Sequence, residues 1–429
     1  MQHNSVKIEC WCKPAPFTEA FWLFVSRLRA GLAGFVFGVA LFASGGDSAA
    51  QQDASFAIQI PVAIIKAERD RPLPISRLNA VPGDAGVRGA ELAVKDNNTT
   101  GKFTKQSFSL KRYDLPKSGD PAALIEQIAS DGMGVVFVDA SAERLLALAD
   151  AARGRPMLLL NLDATDTRLR EEDCRANVAH IAPSRAMLTD ALAQLLVLKK
   201  WTRWLLISGA KPNDKAFADS VRRSAKKFGA RIVAEKQYAQ TDASAQTDSG
   251  HAQVQQQMAV FTQISTEHDV IIVADESEIF GPYVAYRSWS PRPVAGTSGL
   301  MPMSWHPAHE QWGATQIQNR FFTLAGRVMT PLDFHGWLAA RAVGEAATRT
   351  NSGAFAAIRD YLLGPDFGVA AFKGQKVSFR PWDLQMRQPI ALATSELPVS
   401  WSPQTGFLHQ GSELDTLGID APESKCKLR

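Results

Sequence analysis

The residues best placed to do chemistry are polar groups that directly follow greasy, strand-forming runs. They are Asp139 and Ser141, Asn161 and Asp163, Ser208, Asp275 and Glu276, and Gly296 with Thr297. Carboxylates, amides and hydroxyls in such places orient and hydrogen-bond a small molecule among apolar walls, which is the chemistry of binding. For any one of them, a turn or a helix cap is the competing duty. Trp289, Trp305 and Trp312 offer flat faces that either stack on a ligand or fill a core. As a set, Asp139, Ser141, Asn161, Asp163, Ser208, Asp275, Glu276, Thr297 and Trp305 are the expected ligand contacts.

Covalent and metal chemistry find no such arrangement. The chain has no Walker loop, no Gly-x-Ser-x-Gly elbow, no His-Glu-x-x-His and no dinucleotide fingerprint. No nucleophile–base pair stands out, so an enzyme is not expected. His306 and His309, followed by Glu310, have a spacing that suits one helical face, but Pro307 turns the chain between them. With no third ligand evident, structural histidines are the expectation. Glu413, Asp415, Asp420 and Glu423 lack the oxygen rhythm and mid-loop glycine of a calcium loop and suit a solvated tail. No metal and no cofactor are expected.

The elements that must position these groups can be followed along the chain. Phe56–Ile65 reads as a buried parallel strand and Lys66–Gly83 as a polar, Pro-rich connection. In 84–101, Ala90, Leu92, Ala93 and Val94 make one apolar side while Arg88, Glu91, Lys95 and Asp96 stay wet, as in a helix packed on a sheet. Gly101 is expected to end it in left-handed geometry. Together these make the first unit of a doubly wound α/β domain, whose ligands meet the loops beyond the strand ends, so the loop Lys66–Gly83 is the first candidate piece of a binding site. Strands follow at 105–113, 134–138, 156–160 and 178–181, with helices at 121–130, opened by Asp120-Pro121, and at 143–152. That closes one α/β lobe near residue 182.

A second lobe begins with a helix opened by Pro183-Ser184. Strands at 204–208, 231–238, 270–274 and 293–295 surround a helix over 213–228 that Gly229 stops. Residues 239–257, rich in Gln, Ala, Ser, Thr and Asp, read as a solvated excursion before the next helix. Phe321–Leu324 reads as a short strand, Thr330-Pro331-Leu332-Asp333 as a helix opening, and 394–429 as a tail with little periodicity.

Length and composition set the frame. The 429 residues suit two domains, and 45% apolar with 21% charged residues is ordinary for a globular chain with a large core. A net charge of +4 without a Lys/Arg cluster leaves no footprint for nucleic acid. Arg27 and Arg29 precede the apolar run 31–43, and Ser48-Ala49-Ala50 offers a cleavage site, so residues 1–50 read as a secretory signal. An uncleaved anchor is the alternative. Cys10 and Cys12 would leave with the leader, and the exported chain would keep Cys174 and Cys426. A bonded pair is expected in that compartment, pinning the tail to the first lobe, with two buried free thiols as the alternative.

The helix Gly86-Val-Arg-Gly-Ala-Glu-Leu-Ala93, the leader and the two α/β halves resemble the branched-chain-amino-acid type of ABC-transporter substrate-binding protein, of periplasmic binding protein type I fold. Asp96-Asn-Asn-Thr-Thr-Gly-Lys-Phe103, Asp173-Cys-Arg-Ala-Asn177, the run from Gly374 to Pro389, and Glu413-Leu-Asp-Thr-Leu-Gly418 with Glu423-Ser-Lys-Cys426 are similar to a subfamily associated with pyrroloquinoline-quinone-dependent alcohol dehydrogenase systems. The resemblance implies an α/β fold of two Rossmann-like lobes joined by a three-strand hinge. Lobe one would be 55–183 plus 297–383, and lobe two 184–296 plus 384–399, followed by the tail 400–429. It also implies a periplasmic receptor that closes on a small molecule, serves an ABC permease and is linked to a quinoprotein dehydrogenase; a sensory or assembly partner of that system is the alternative. The family's Gly/Ser-rich turn is here Asp139-Ala-Ser-Ala142, whose carboxylate is expected to repel an anionic ligand.

Overall fold

A computed structural model describes residues 58–70, 80–239 and 248–428. The stretch read as a signal, with Cys10 and Cys12, residues 71–79 of the connection after the first strand, and residues 240–247 of the Gln/Ala/Ser-rich stretch lie outside the described residues.

Two parallel sheets organise the chain. The first contains β1 (Ile58–Ala67), β2 (Gln106–Leu115), β3 (Val135–Asp139), β4 (Leu158–Asn161) and β5 (Val178–His180) in the order β2-β1-β3-β4-β5. Its crossovers are α1 (Val87–Thr104), α2 (Pro121–Ser130) and α3 (Ala142–Ala151). Because successive side chains on a strand point to opposite faces, β1 feeds two cores at once. Ile60, Val62 and Ile64 pack toward α1, whereas Ala63 and Ile65 pack toward α2 and α3. This lobe is a sheet covered on both sides.

The chain then enters a second core through α4 (Arg185–Leu198), capped by Ser184 Oγ accepting from Met187 N at 3.2 Å. After it come β6 (Arg203–Ser208), α5 (Pro212–Phe228), β7 (Arg231–Gln237), α6 (Asp248–Phe261), β8 (Val270–Ala274), α7 (Gly281–Arg287) and β9 (Val294–Gly296). Their sheet runs β7-β6-β8-β9, all parallel. Trp204 and Leu206 face α4 and α5, while Leu205 and Ile207 join the core that holds Val254 of α6 and Val284 of α7.

From β10 (Met301–Met303) the chain returns to the first core through α8 (Ala314–Ala325), α9 (Pro331–Thr350) and α10 (Phe355–Leu363). The pairs β11 (Val369–Ala370), β12 (Lys376–Phe379) and β13 (Met386–Arg387) form a small antiparallel sheet. A second one joins β10 to β14 (Ile390–Ala393) and β15 (Pro398–Ser402), and Ile390 and Leu392 lie in the second lobe's core. The opening of α9 is as read: Thr330 Oγ1 accepts from Asp333 N at 3.2 Å, and Asp333 accepts from Thr330 N at 3.0 Å.

Four expectations are corrected. Residues 248–257 are not a solvated excursion; they form the first part of α6, where Val254 is fully buried. Gly101 does not end α1; it lies inside the helix, where a Cβ would sit 2.1 Å from the Gln106 carbonyl oxygen, and Lys105 takes the left-handed cap at φ 55°. Its glycine serves a close approach of helix and strand. Phe321–Leu324 is helical, within α8: Ile317 and Phe321, one turn apart, are fully buried, while Phe322 stays exposed. Residues 394–428 are more than a solvated tail pinned at Cys426. They contribute β15, bury Leu414 and Leu417, and contact both lobes. The Cys174–Cys426 bond is present, with Cα atoms 5.7 Å apart. Among the described residues no helix is long and apolar enough to cross a membrane.

Candidate ligand-binding site

In doubly wound sheets the ligand crevice opens where strand order reverses. In the first sheet that point lies between β1 and β3, and in the second between β6 and β8. Both are marked by charge. Lys66, near the end of β1, reaches Asp139, the last residue of β3, with Nζ 2.8 Å from Oδ2; the same ammonium donates to the Ala85 carbonyl at 3.0 Å. Arg69, just past β1, donates to Asp139 and also to Asp163 beyond β4. Burial pulls the Arg69 pKa down, but Asp163 and Asp139 outweigh it and hold the guanidinium above its ordinary value. Asp139 is 2% exposed and Asp163 35%, so Asp163 is the carboxylate of the two that solvent reaches.

The turn that presents Asp163 is built by Asn161. Its Oδ1 accepts from Asp163 N and Ala164 N at 3.2 and 3.0 Å, and its Nδ2 donates to Ala164 O at 2.8 Å. Two residues after Ala164, Asp166 approaches Arg185 at 3.3 Å. Arg185, on the first turn of α4, makes a paired contact with Glu276, with Nε–Oε1 at 2.8 Å and Nη2–Oε2 at 2.7 Å. One guanidinium thus joins a carboxylate of the first lobe to a carboxylate of the second. Burial lowers the Arg185 pKa, yet Glu276 and Asp166 raise it overall; burial raises that of Glu276, and Arg185 pulls it back only in part.

The remaining expected contacts are occupied locally. Ser141 caps α3. Asp275 accepts from the amides of Ile279, Phe280 and Gly281 ahead of α7, and its own amide donates to Thr297 Oγ1 at 2.9 Å. Burial raises the Asp275 pKa despite those amides. Ser208 closes β6 and is 5% exposed. Trp305 has no exposed surface: it stacks on Phe334 at 4.4 Å with 9° between planes, inside the first core. Trp289 and Trp312 stay accessible, at 58% and 48%.

Asp139, Asp163 and Glu276 therefore join charged networks, whereas Ser141, Asn161, Asp275 and Thr297 hold turns and helix ends. Lys66 and Arg69 lie in the connection 66–83, the first candidate piece of a site in the sequence, whereas Asp166 and Arg185 escaped the reading of strand ends. The only local signal for Arg185 is its place directly after the Ser184 helix cap. Two cations, Lys66 and Arg69, face the Asp139 carboxylate. His306 and His309 are buried and His309 Nε2 lies 2.8 Å from the Phe372 carbonyl; no group of three metal-binding side chains occurs among the described residues. In the tail, Asp415 and Asp420 engage Arg380, Arg387 and His409.

The family described as Periplasmic binding protein matches residues 74–274. No curated protein matches by sequence. Among solved structures, the leucine-, isoleucine-, valine-, threonine- and alanine-binding protein of Brucella ovis, in its closed conformation, is 14% identical with a TM-score of 0.62, covering 87% of this chain and all of that one. An amino acid ABC-transporter substrate-binding protein of Pseudomonas fluorescens Pf-5 is 13% identical with a TM-score of 0.63 over the same shares. A solute-binding protein of an ABC transporter from R. palustris, in complex with benzoate, is 12% identical with a TM-score of 0.59, covering 86% and 100%. Strand order, layer pattern and these likenesses agree: the chain has the α/β fold of the type I periplasmic binding proteins.

Proposed function

We propose that this protein is a non-enzymatic periplasmic solute receptor that presents a small molecule to an ABC permease and works with a pyrroloquinoline-quinone-dependent alcohol oxidation system. The observation that carries the binding role is the pair of charged strand-end clusters at the two switch points, bridged by Asp166, Arg185 and Glu276. Lobes bounded as 55–183 plus 297–383 and 184–296 plus 384–399 would close on the solute, with Asp139, Asp163 and Glu276 as the polar contacts and Lys66, Arg69 and Arg185 beside them. In the described part of the first cluster two cations oppose two carboxylates, which suits an uncharged or zwitterionic solute better than a strong anion. The periplasmic address rests on the fold and on the leader read from residues 1–50. The link to the dehydrogenase rests on the sequence resemblance alone.

A second role draws support from one feature. The cleft charges are bonded to one another, as in a protein that uses the clamshell as a sensory or assembly partner without a solute. Mass spectrometry of small molecules released from gently purified protein separates the two. A stoichiometric solute, a tryptophan-fluorescence change on adding it back, and at least about tenfold weaker binding in Arg69→Ala are expected for the receptor. Stable copurification with a dehydrogenase and no released solute would favour the partner role instead.

A further inference from the structure

We propose that the C-terminal segment 404–426 is a strap that ties the two lobes together, in addition to the three places where the chain passes from one core to the other. One side of the strap belongs to the second lobe. Leu417 is buried among Met187, Ala191 and Trp204, and Gly418 N donates to Asp190 Oδ2 at 2.8 Å. Lys227 Nζ donates to the carbonyls of Thr416 and Gly418, both at 2.9 Å. Gln194, on α4, grips the strap twice: Nε2 donates to Thr416 Oγ1 and Oε1 accepts from Gln404 N, each at 2.9 Å. Gly418 is required at this seat, since its φ is +89° and a Cβ would lie 2.8 Å from Met187 Cγ.

The other side belongs to the first lobe. Arg380 follows β12, in a hairpin whose Val377, Phe379, Leu384 and Met386 lie in the first core. Its Nε meets Asp415 Oδ1 at 2.8 Å, and its Nη2 donates to the carbonyls of Leu414 and Leu417 at 3.1 and 2.6 Å. Arg387 Nε reaches the same carboxylate at 2.9 Å. Arg380 and Asp415 are 1% and 3% exposed, so separating them would strand two buried charges. Further on, Glu171 accepts from Lys425 N and Ser424 Oγ, and Cys426 is bonded to Cys174.

Residues 413–418 are therefore held from both sides at once, and the lobes cannot swing apart without tearing one set of contacts. The segment from Gly418 to Cys426 adds a covalent limit. Eight residues reach at most about 28 Å when fully drawn out, and here they are shortened by a turn in which Glu423 N donates to Asp420 O. The buried contacts give stiffness and the disulfide gives an end stop. The result is a receptor whose opening range is narrowed even when empty.

The test measures distances in the full exported chain without solute, so it is decided independently of whether a solute is found. A fluorophore pair joined through thioethers at Phe103→Cys and Tyr286→Cys, exposed sites in the first and second lobes, reports the distribution of lobe separations by energy transfer and survives phosphine. Cys174→Ser with Cys426→Ser, and separately Asp415→Ala, should each broaden the distance distribution toward longer values. Their combination should broaden it at least about twofold. A folded combined variant whose distribution superimposes on that of the parent overturns the strap. Should that variant not fold, phosphine reduction and alkylation of the folded parent gives the same readout, and an unchanged distribution there overturns it equally.

Discussion

Replacing Gly89 by alanine is expected to cost more than about 3 kcal/mol of stability, or to prevent folding altogether. Helices α1 and α9 cross with glycines facing backbone on both sides. A Cβ at Gly89 would lie 1.7 Å from the Asp333 carbonyl oxygen, and one at Gly336 would lie 2.1 Å from that of Gly86. Neither obstacle is a side chain that could swing away, so relief requires pushing the helices apart. That movement would also strain the bonds centred on the fully buried Asp333, which accepts from Gly86 N at 2.9 Å, from Thr330 and from Arg327 Nη1 at 2.6 Å. Urea unfolding of Gly89→Ala beside Gly83→Ala checks the argument. Gly83 has open space where a Cβ would go, so its variant should stay within about 0.5 kcal/mol of the parent. Equal midpoints for the two variants would show that the crossing is looser than described.

The same helix shows what a sequence can and cannot reveal. Its apolar stripe, the continuous greasy runs of 134–138 and 270–274, and the openings at Asp120-Pro121 and Thr330-Pro331 are local patterns, and each became the element it suggested. Gly101 was misread because its reason is a strand carbonyl packed against it, a contact no local pattern encodes. Phe321–Leu324 failed because four apolar residues fit either period, and only the burial of Ile317 one turn earlier decides for helix. At the site, strand ends could be located and their partners could not. Asp139 depends on Lys66 and Arg69, and Glu276 on Arg185, pairings that span 70 to 91 positions. The tail was opaque for the same reason, since the order of 413–418 comes from Asp190, Lys227 and Arg380 rather than from periodicity.

Acid should weaken this fold well before its carboxylates are neutralised. His335 is buried; its Nδ1 lies 2.6 Å from the Leu162 carbonyl, so that nitrogen carries the proton, and Nε2 has no partner in the structure. A second proton would enter a desolvated site near Lys373 and Arg170. Burial, aided by those charges, takes the His335 pKa from 6.5 down to about 3, although the Leu162 carbonyl works the other way. His180 is held well below its ordinary value chiefly by burial, with Arg170 adding to it, and Asn161 Nδ2 donates to its Nδ1 at 3.1 Å. Both rings are neutral in the folded state and charge readily in the unfolded one. The stability that His335 contributes is whole above pH 6.5 and is lost as pH falls from there toward about 3, which amounts to about 5 kcal/mol in full, and His180 acts in the same direction. Asp275 and Glu276, raised by burial, bind protons more readily in the folded state than in the unfolded one and offset part of this loss. In His335→Gln the amide can still donate to Leu162 but cannot titrate. Between pH 6 and 4.5 its unfolding free energy should fall less steeply than the parent's by about 1.4 kcal/mol per pH unit. Urea titrations at four pH values measure both slopes, and parallel lines would mean that His335 charges freely within the fold.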